Sequence, residues 1–299
     1  MTALDLSRST SGVYLTPEQS NEIWTGVFKQ SAVTQLATGV KLPGSGMEYD
    51  TFGDMSAAKW VGETDEKPVD KPTIGSRVMK PFKVAKIVPV SEEFVRDKSA
   101  LWSRIKEKAA QSIAQTIDQT FLTGLITAPS TENMDTLKDA QTVSIGSGKY
   151  ADFAKIATTV LTNDGDLNGI ALSPHGLAKV LEATDANDHP LLVPSQSTEI
   201  GTLFGARVVK SPWGHVPEIK ADTTHNISAA KEVFGVAGDW TYAMYGTVEG
   251  IKMKISDQAT INDGGKQINL WQRNMIAFLV EAEIGFIVRD KKKFAVITA

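Results

Sequence analysis

The segment Phe82-Lys83-Val84-Ala85-Lys86-Ile87-Val88-Pro89-Val90-Ser91-Glu92-Glu93-Phe94 joins a predicted strand to a predicted long helix and decides the fold. Valine and isoleucine up to Val90 favour a strand. Ser91 is a good helix N-cap, and Glu92 and Glu93 would complement the positive end of the helix dipole. The sequence therefore predicts an extended segment that runs directly into a helix.

The helix that follows is long, and its apolar residues recur at every fourth position. Because a helix turns by about 100° per residue, such a row drifts by about 40° per step and winds around the helix. We expect different elements to pack along its length. Gly124 and Pro129 are predicted to end the helix. The row consists of Leu101, Ile105, Ala109, Ile113, Ile117, Phe121 and Leu125.

The segment before the strand is acidic and poor in apolar residues. Residues 43–76 carry seven acidic side chains against three lysines, which accounts for the whole formal net charge of −4. Met47, Tyr49 and Thr51 alternate with polar or exposed positions, which predicts a half-buried strand. Only ten of these 34 residues are apolar, and an isolated hairpin is only marginally stable in water. The segment is therefore either disordered or lies on something else, such as a neighbouring subunit.

The composition is that of a globular protein. The chain has 299 residues, of which 41% are hydrophobic and 22% charged, and this length predicts about two domains. The absence of cysteine excludes disulfides, thiolate nucleophiles and iron–sulfur clusters. Apolar runs fall short of the roughly 18 residues of a membrane-spanning helix. The small net charge argues against a protein that coats nucleic acid with its whole surface.

Both flanks of the long helix carry further helix and strand signals. Thr16, Pro17 and Gln19 predict the start of a helix that fades near Ser31, after a Ser/Thr-rich arm. Residues 275–283 fit a strand or a helix. Helices are predicted over 153–161 and from Ser173, and strands over Gly169–Leu172, Phe204–Val209, Val233–Val236, Tyr242–Tyr245, Ile251–Ile255, Phe286–Val288 and Phe294–Ile297.

The best metal-ligating pattern is Asp164-Gly165-Asp166-Leu167-Asn168-Gly169, which matches the first half of an EF-hand loop. Its twelfth position should be a glutamate but is His175, so a polar turn is the preferred interpretation. The other histidines, His189, His215 and His225, lack the spacing of a helical zinc site. Three of the four histidines fall in loops, where a solvated side chain is the default.

Two remaining charged groups also favour structural roles. Glu281 and Glu283 would share one face of a strand, which is typical of a solvated or salt-bridged face rather than an acid–base pair. The run Lys291–Lys293 is typical of a solvated turn. We find no catalytic constellation and predict a protein that is not an enzyme and has no catalytic residues, no metal and no cofactor.

The order of these elements resembles the major capsid proteins of tailed bacteriophages, the Hong Kong ninety-seven fold. The segment quoted first resembles the strand that leads into the spine helix of that family. Each further match is short, but their order along the chain is specific. They are Ser31–Ala37, Ala58–Glu63, Asp118–Gly124, Leu203–Val209 and Val236–Trp240.

The resemblance implies an α+β fold with five regions. It places an N-terminal arm with a short helix at 1–42 and an extended β-hairpin loop at 43–86. A peripheral domain with the spine helix would span 87–148 and an α/β axial domain 149–240. Return strands over 241–299 would complete both domains. Since about forty residues precede the loop, we expect no fused scaffolding domain.

The family further implies self-assembly into pentamers and hexamers that form an icosahedral shell around double-stranded phage DNA. The protein would be a virion component assembled in the cytoplasm of the bacterial host, with no membrane contact. A separate scaffolding protein, a portal and decoration proteins would be its partners. Some relatives crosslink a loop lysine to a neighbour, but no motif assigns that role to Lys59, Lys67 or Lys71.

We predict that the acidic loop contacts the basic start of the long helix of an adjacent subunit. The predicted loop contacts are Trp60, Val61, Glu63, Asp65, Glu66 and Asp70. The predicted basic face of the helix consists of Arg96, Lys98, Arg104, Lys106 and Lys108.

We also predict that the N-terminal helix packs through Ile23, Trp24, Val27 and Phe28.

The alternative is an encapsulin, a cellular compartment shell of similar fold that encloses enzyme cargo. The Ser/Thr-rich arm before Thr16 favours the phage protein, because encapsulins usually begin with a helix. A third class, a hydrolase or metal enzyme, would need a site that we do not find.

Overall fold

A computed structural model describes residues 26–27, 30–52, 55–64, 66–71, 74–93, 99–146, 148–185, 187, 189, 201–219 and 230–299. The predicted helix start at Thr16 lies outside these residues, as do Ile23, Trp24 and Phe28. Val27 is described and is fully buried. No helix in these ranges combines the length and the apolar character needed to cross a membrane.

The described chain contains four α-helices and fifteen strands. The helices are α1 (Ala32–Leu36), α2 (Ser99–Asp118), α3 (Tyr150–Leu161) and α4 (Pro174–Leu181). The strands are β1 (Thr38–Lys41), β2 (Met47–Phe52), β3 (Ile74–Met79), β4 (Phe82–Ser91), β5 (Gln141–Ser144), β6 (Gly169–Leu172), β7 (Thr202–Leu203), β8 (Ala206–Lys210), β9 (Val233–Gly238), β10 (Ala243–Thr247), β11 (Lys252–Ser256), β12 (Thr260–Asp263), β13 (Lys266–Asn269), β14 (Met275–Val288) and β15 (Phe294–Thr298).

A five-stranded sheet is built around β14. Strands β10 and β11 pair with successive parts of one edge of β14, and β4 pairs with the opposite edge. Strand β1 adds to β10 in parallel. The ambiguous run 275–283 is therefore a strand, because partners on both edges satisfy its backbone. Pro89 fits within β4 because β4 has a sheet partner on one side only among the described residues.

A six-stranded sheet has the order β5-β15-β9-β6-β8-β7. Alternate residues of its central strands point to opposite faces. Ile170 and Leu172 of β6 pack with α3 and α4, whereas Ala171 faces the core that contains the long helix. This sheet is therefore covered on both faces, which explains why all four residues of β6 are buried.

The long helix, α2, continues past Asp118 as a π-helical turn over Gln119–Thr123. Gly124 ends it in the left-handed conformation, φ 64°, as the sequence predicts. The buried positions form adjacent pairs four residues apart, in agreement with a stripe that winds around the helix. These pairs are Ala109 with Ala110, Ile113 with Ala114, Ile117 with Asp118, and Phe121 with Leu122.

Some predicted boundaries are confirmed and others are wrong. Helical structure does end near Ser31, as predicted, since Ser31 is extended (φ −85°, ψ 129°). What was not predicted is that Ser31 caps a second short helix, α1, and accepts a hydrogen bond from the Thr34 N–H. Phe204 does not begin a strand. Phe204 and Gly205 both have positive φ, 52° and 81°, and form the turn between β7 and β8. Ser91 is the last residue of β4, and helical structure begins directly after it at Glu92, in agreement with the predicted helix start. Short strands such as β1, β5 and the β12–β13 hairpin were not predicted.

A buried carboxylate connects three parts of the subunit. Asp118, at the end of α2, accepts hydrogen bonds from the Ser31 hydroxyl (2.6 Å) and from the backbone N–H groups of Ala32 (3.0 Å) and Val33 (3.3 Å). It also accepts one from the Ser211 hydroxyl after β8 (2.6 Å). Burial raises the pKa of Asp118, and these four hydrogen bonds oppose that rise. The carboxylate thus ties α1 and the end of the six-stranded sheet to the long helix.

We expect Asp118→Asn to destabilise the subunit by about 2 kcal/mol, because the amide nitrogen would leave a buried backbone N–H without an acceptor. Urea unfolding of dissociated subunits, followed by circular dichroism, measures this loss. The exposed Asp257→Asn is the matched control and should stay within about 0.5 kcal/mol of the parent protein. Equal stability of the two variants would show that the Asp118 carboxylate does not hold these elements together.

Candidate assembly surface

Within residues 43–86, predicted as the extended loop, β2 and β3 form a two-stranded ladder, whereas residues 82–86 belong to β4 of the five-stranded sheet. Strands β2 and β3 pair from Met47–Met79 at the base to Phe52–Ile74 at the far end. Beyond them, residues 55–64 and 66–71 form neither helix nor strand. The strand predicted at Met47 is confirmed, and the hairpin arises from local pairing within the loop itself.

A carboxylate holds the two sides of the loop together beyond the ladder. The Ser56 backbone N–H and hydroxyl donate to one oxygen of Asp70, at 2.6 and 2.9 Å. These hydrogen bonds, that of the Ser56 backbone foremost, lower the pKa of Asp70 below its ordinary value. Asp70, predicted to contact a neighbour, therefore shapes the loop in its own subunit.

The base of the loop sits on two paired glycines. Gly246 of β10 and Gly285 of β14 lie opposite each other in the sheet. Leu42, just before the loop, and Met79, at the end of β3, fill the space above them and are buried. A Cβ on Gly246 would overlap the Leu42 side chain, and one on Gly285 would lie 2.8 Å from the Lys80 carbonyl oxygen. The missing side chains let both ends of the loop seat directly on the sheet.

An ion pair fixes the direction of β3. Arg77 Nη2 lies 2.7 Å from Asp135 Oδ1, and Arg77 Nη1 donates to the Val288 carbonyl at 2.9 Å. The other oxygen of Asp135 accepts from the Val288 N–H at 2.8 Å. Because Asp135 is buried, this pair is less screened than a surface pair. The loop base is therefore anchored to the end of β14. Neither residue was predicted from the sequence, since nothing in their spacing indicates the contact.

The loop exposes large apolar side chains. Trp60 is fully exposed, at 103% of its reference area, and Val69 is 87% exposed. Such a concentration on a projecting segment marks an interaction surface. Trp60 and Val61 were predicted. Three more apolar residues were missed because they lie outside the short motif around Trp60: they are Met55, Val69 and Ile74.

Among the residues that the structure describes, no charged side chain of the loop forms an ion pair with the long helix. Glu63 and Glu66 are exposed, and neither forms an ion pair with any residue in the described ranges. On the helix, Arg104 and Lys108 are exposed, and Lys108 Nζ donates to Gln111 Oε1 at 2.8 Å. The remaining predicted positions, namely Asp65, Arg96, Lys98 and the side chain of Lys106, lie outside the described part.

The EF-hand-like segment serves a structural network. The Asp166 N–H and the Asn168 amide donate to the two oxygens of Asp239, at 3.1 and 2.9 Å. Burial works to raise the pKa of Asp239, but hydrogen bonds from Thr241, Asp166 and Asn168 lower it below its ordinary value. Asn168 also accepts from the Trp240 N–H at 2.9 Å. Both the amide nitrogen and the amide oxygen of Asn168 are therefore engaged in hydrogen bonds within the subunit, which supports the polar-turn interpretation.

Glu281 and Glu283 lie on one face of β14 as predicted. Lys83 of β4 reaches Glu281 at 3.9 Å and Glu283 at 3.4 Å. Lys254 of β11 lies 3.1 Å from Glu281. The pair is therefore a salt-bridged face that crosses three neighbouring strands, as the sequence favoured.

One lysine of the run Lys291–Lys293 is not solvated. Lys293 is only 8% exposed, and its Nζ donates to the Asp164 carbonyl at 2.7 Å. The same Nζ lies 4.6 Å from the centre of the Tyr242 ring. The prediction of a solvated turn is wrong for this residue, because the turn folds back against the end of α3.

Comparisons with known proteins agree with this geometry. The sequence matches the phage capsid family over residues 11–299. The probable major capsid protein gp17 of Mycobacterium phage L5 is 31% identical, over 95% of this chain and 89% of its own. Its counterpart from Mycobacterium phage D29 is 29% identical, over 95% and 90%.

The fold is shared with solved structures as well. A chain from Mycobacterium phage Adephagia aligns with a TM-score of 0.71 and 22% identity, over 90% of each chain. The predicted α+β fold and the resemblance to tailed-phage capsid proteins are confirmed. The chain belongs to the phage capsid family.

Proposed function

We propose that this chain is the major capsid subunit of a tailed phage, and that it assembles through pentamers and hexamers into an icosahedral shell around double-stranded DNA. The observation that carries the proposal is the extended loop, which is anchored firmly at its base yet leaves its apolar side chains exposed. Exposed apolar side chains do not stabilise a monomer. In a shell, they would be buried at every subunit contact.

Trp60 is the central apolar anchor of the proposed contact. Its side chain is fully exposed in the subunit, and tryptophan is among the residues that dominate binding energy at protein interfaces. Val61 and Val69 add further apolar area on the same loop. We place this loop on an adjacent subunit, with the long helix beneath it.

Complementary charge would set the position of the loop on its neighbour. Glu63 and Glu66 are free to accept cations of another chain, and Arg104 and Lys108 are exposed on the long helix. Exposed ion pairs are individually weak. A closed shell repeats each of them at every equivalent contact, so their effect on assembly is larger than on the stability of one subunit.

We extend the proposal to the domains and partners. The six-stranded sheet with α3 and α4 forms the core of the axial domain, and the long helix with the five-stranded sheet forms the peripheral domain. Packaged DNA, a portal, a separate scaffolding protein and decoration proteins are the proposed partners, with assembly in the host cytoplasm. The encapsulin alternative gains no support from the relatives described above.

Electron microscopy of the purified protein tests the proposal directly. We expect closed shells or separate capsomers. A protein that stays monomeric under all assembly conditions, and that turns over a small substrate, would contradict it. The contents of shells formed in the host distinguish phage DNA from an enzyme cargo.

Replacing Trp60 should impair assembly without unfolding the subunit. We expect Trp60→Ala to raise the concentration needed for assembly by about thirtyfold or more, since an interface anchor contributes about 2 kcal/mol or more. Light scattering against subunit concentration measures this shift. Thermal unfolding of the free subunit should be unchanged, because the side chain contacts solvent there.

Trp60→Phe provides the matched control. It keeps an aromatic anchor and should assemble nearly as well as the parent protein. Tryptophan emission of the parent protein should shift to shorter wavelength on assembly, and this variant should lose part of that shift. If Trp60→Ala assembles at the parent concentration, the loop is not the contact that we propose.

Reversal of the free loop charges tests the electrostatic part. Glu63→Lys with Glu66→Lys should raise the assembly concentration by about tenfold, because attraction becomes repulsion at two positions. Asp70 is left intact because it shapes the loop. Adding Arg104→Glu and Lys108→Glu should restore assembly.

A control reverses two exposed acids elsewhere, Glu132→Lys with Asp139→Lys, and should assemble normally. The parent protein should assemble less readily as salt rises, since salt screens exposed charges. If the helix substitutions worsen the loop variant instead of rescuing it, the acidic loop does not lie on the basic face of the long helix.

A further inference from the structure

Two histidines and a glutamate from separate parts of the sequence meet at one end of the six-stranded sheet. The ligand atoms of His175, His215 and Glu232 all lie within 4.8 Å of one another. His215 Nε2 is 2.8 Å from Glu232 Oε1. The rings of His175 and His215 stack with centroids 4.0 Å apart. His215 was predicted to be solvated because it falls in a loop, and no zinc site was predicted because the histidines lack helical zinc spacing.

Close packing of α4 on β9 produces this cluster. His175 lies in the first turn of α4, immediately before Gly176. A Cβ on Gly176 would be 2.9 Å from the Phe234 Cβ and 2.8 Å from the Leu172 Cδ1, so only a glycine lets the helix approach this closely. The Ser173 N–H also donates to the Phe234 carbonyl at 2.8 Å. The backbone therefore holds His175 above the start of β9.

The other two residues are held by a short backbone ladder. Val216 and Val233 exchange two hydrogen bonds, of 3.1 and 2.9 Å, and His215 and Glu232 each lie next to one member of this pair. The Ala299 N–H donates to the Glu232 carbonyl at 2.9 Å. Phe234 stacks beside His215 with 6.5 Å between ring centroids. His215 and Glu232 are half-buried and preorganised, whereas His175 is exposed and free to adjust.

We propose that His175, His215 and Glu232 bind a divalent transition-metal ion of the zinc class. Two imidazoles and one carboxylate form an established ligand set for zinc. Ligand atoms on a tetrahedral zinc ion are about 3.3 Å apart, given bonds of about 2.0–2.1 Å. The Nε2–Oε1 pair is already close to this separation, so the ion takes the place of the proton between them.

Closure of the site requires a movement of His175 alone. Nearly parallel rings direct their nitrogens side by side rather than toward one point, so the His175 ring must turn toward the other two ligands. Its exposure permits that rotation. Water completes the coordination from the open side. The bound ion joins α4 to the two ends of the segment between Val216 and Val233, and thereby stiffens this end of the sheet.

Zinc titration of untagged protein by calorimetry at about pH 7.5 tests the site, since metal ligands must be deprotonated to bind. We expect one zinc ion per subunit. His175→Ala and Glu232→Gln should each weaken binding by at least about tenfold, because even loss of an outer-shell partner costs about 10–100-fold. Magnesium should not compete, since it prefers oxygen ligands.

His189→Ala is the matched control, since His189 is an exposed histidine paired with Asp185 in a different loop. It should bind zinc as the parent protein does. His175→Ala changes an exposed residue and should fold normally by circular dichroism, so its loss of zinc cannot be ascribed to unfolding. Equal zinc binding by His175→Ala and His189→Ala, or less than one ion per parent subunit, would overturn the proposal.

Discussion

The four hydrogen bonds on the Asp118 carboxylate hold the subunit together at the point where its parts meet. A buried carboxylate is tolerated only when its oxygens are satisfied. Here the donors come from α1, at the end of the N-terminal arm, and from the segment after β8. These bonds therefore add a polar contact to the apolar packing that already joins α1 and the six-stranded sheet to the long helix.

The extended loop depends on this rigid body. Its two ends rest on the Gly246–Gly285 pair, and Arg77 fixes its direction through Asp135. Only its far part, without a core of its own, presents apolar and acidic side chains to solvent. A base fixed in place and an exposed tip suit the proposed contact with another subunit. Because the direction of the loop is already set, little conformational entropy is lost when the contact forms.

Reinforcement of the shell must use something other than disulfides, since the chain has no cysteine. The salt-bridged face around Glu281 and the buried Lys293 stabilise each subunit internally. The histidine cluster offers a further means of the same kind, with imidazole and carboxylate in place of thiolate. Each of these contacts joins elements that are far apart in sequence, so each adds constraint between the two sheets or within one of them.

Local signals in the sequence were sufficient for the elements that depend on neighbouring residues. The cap at Ser173, the helix end at Gly124, the buried strand Gly169–Leu172 and the coreless acidic segment were all predictable from spacing and residue type. The order of short motifs was sufficient for the family.

Tertiary structure decided what depends on distant partners. It made the run 275–283 a strand, because β4 and β11 satisfy both of its edges. It buried Lys293, which looked solvated, and it shaped the loop through the contact between Asp70 and Ser56. It also brought His175, His215 and Glu232 together. Sequence determines local conformation and burial pattern through short-range sterics and periodicity. Contacts between residues that are distant in sequence depend on how the sheets and loops close, which no local pattern encodes.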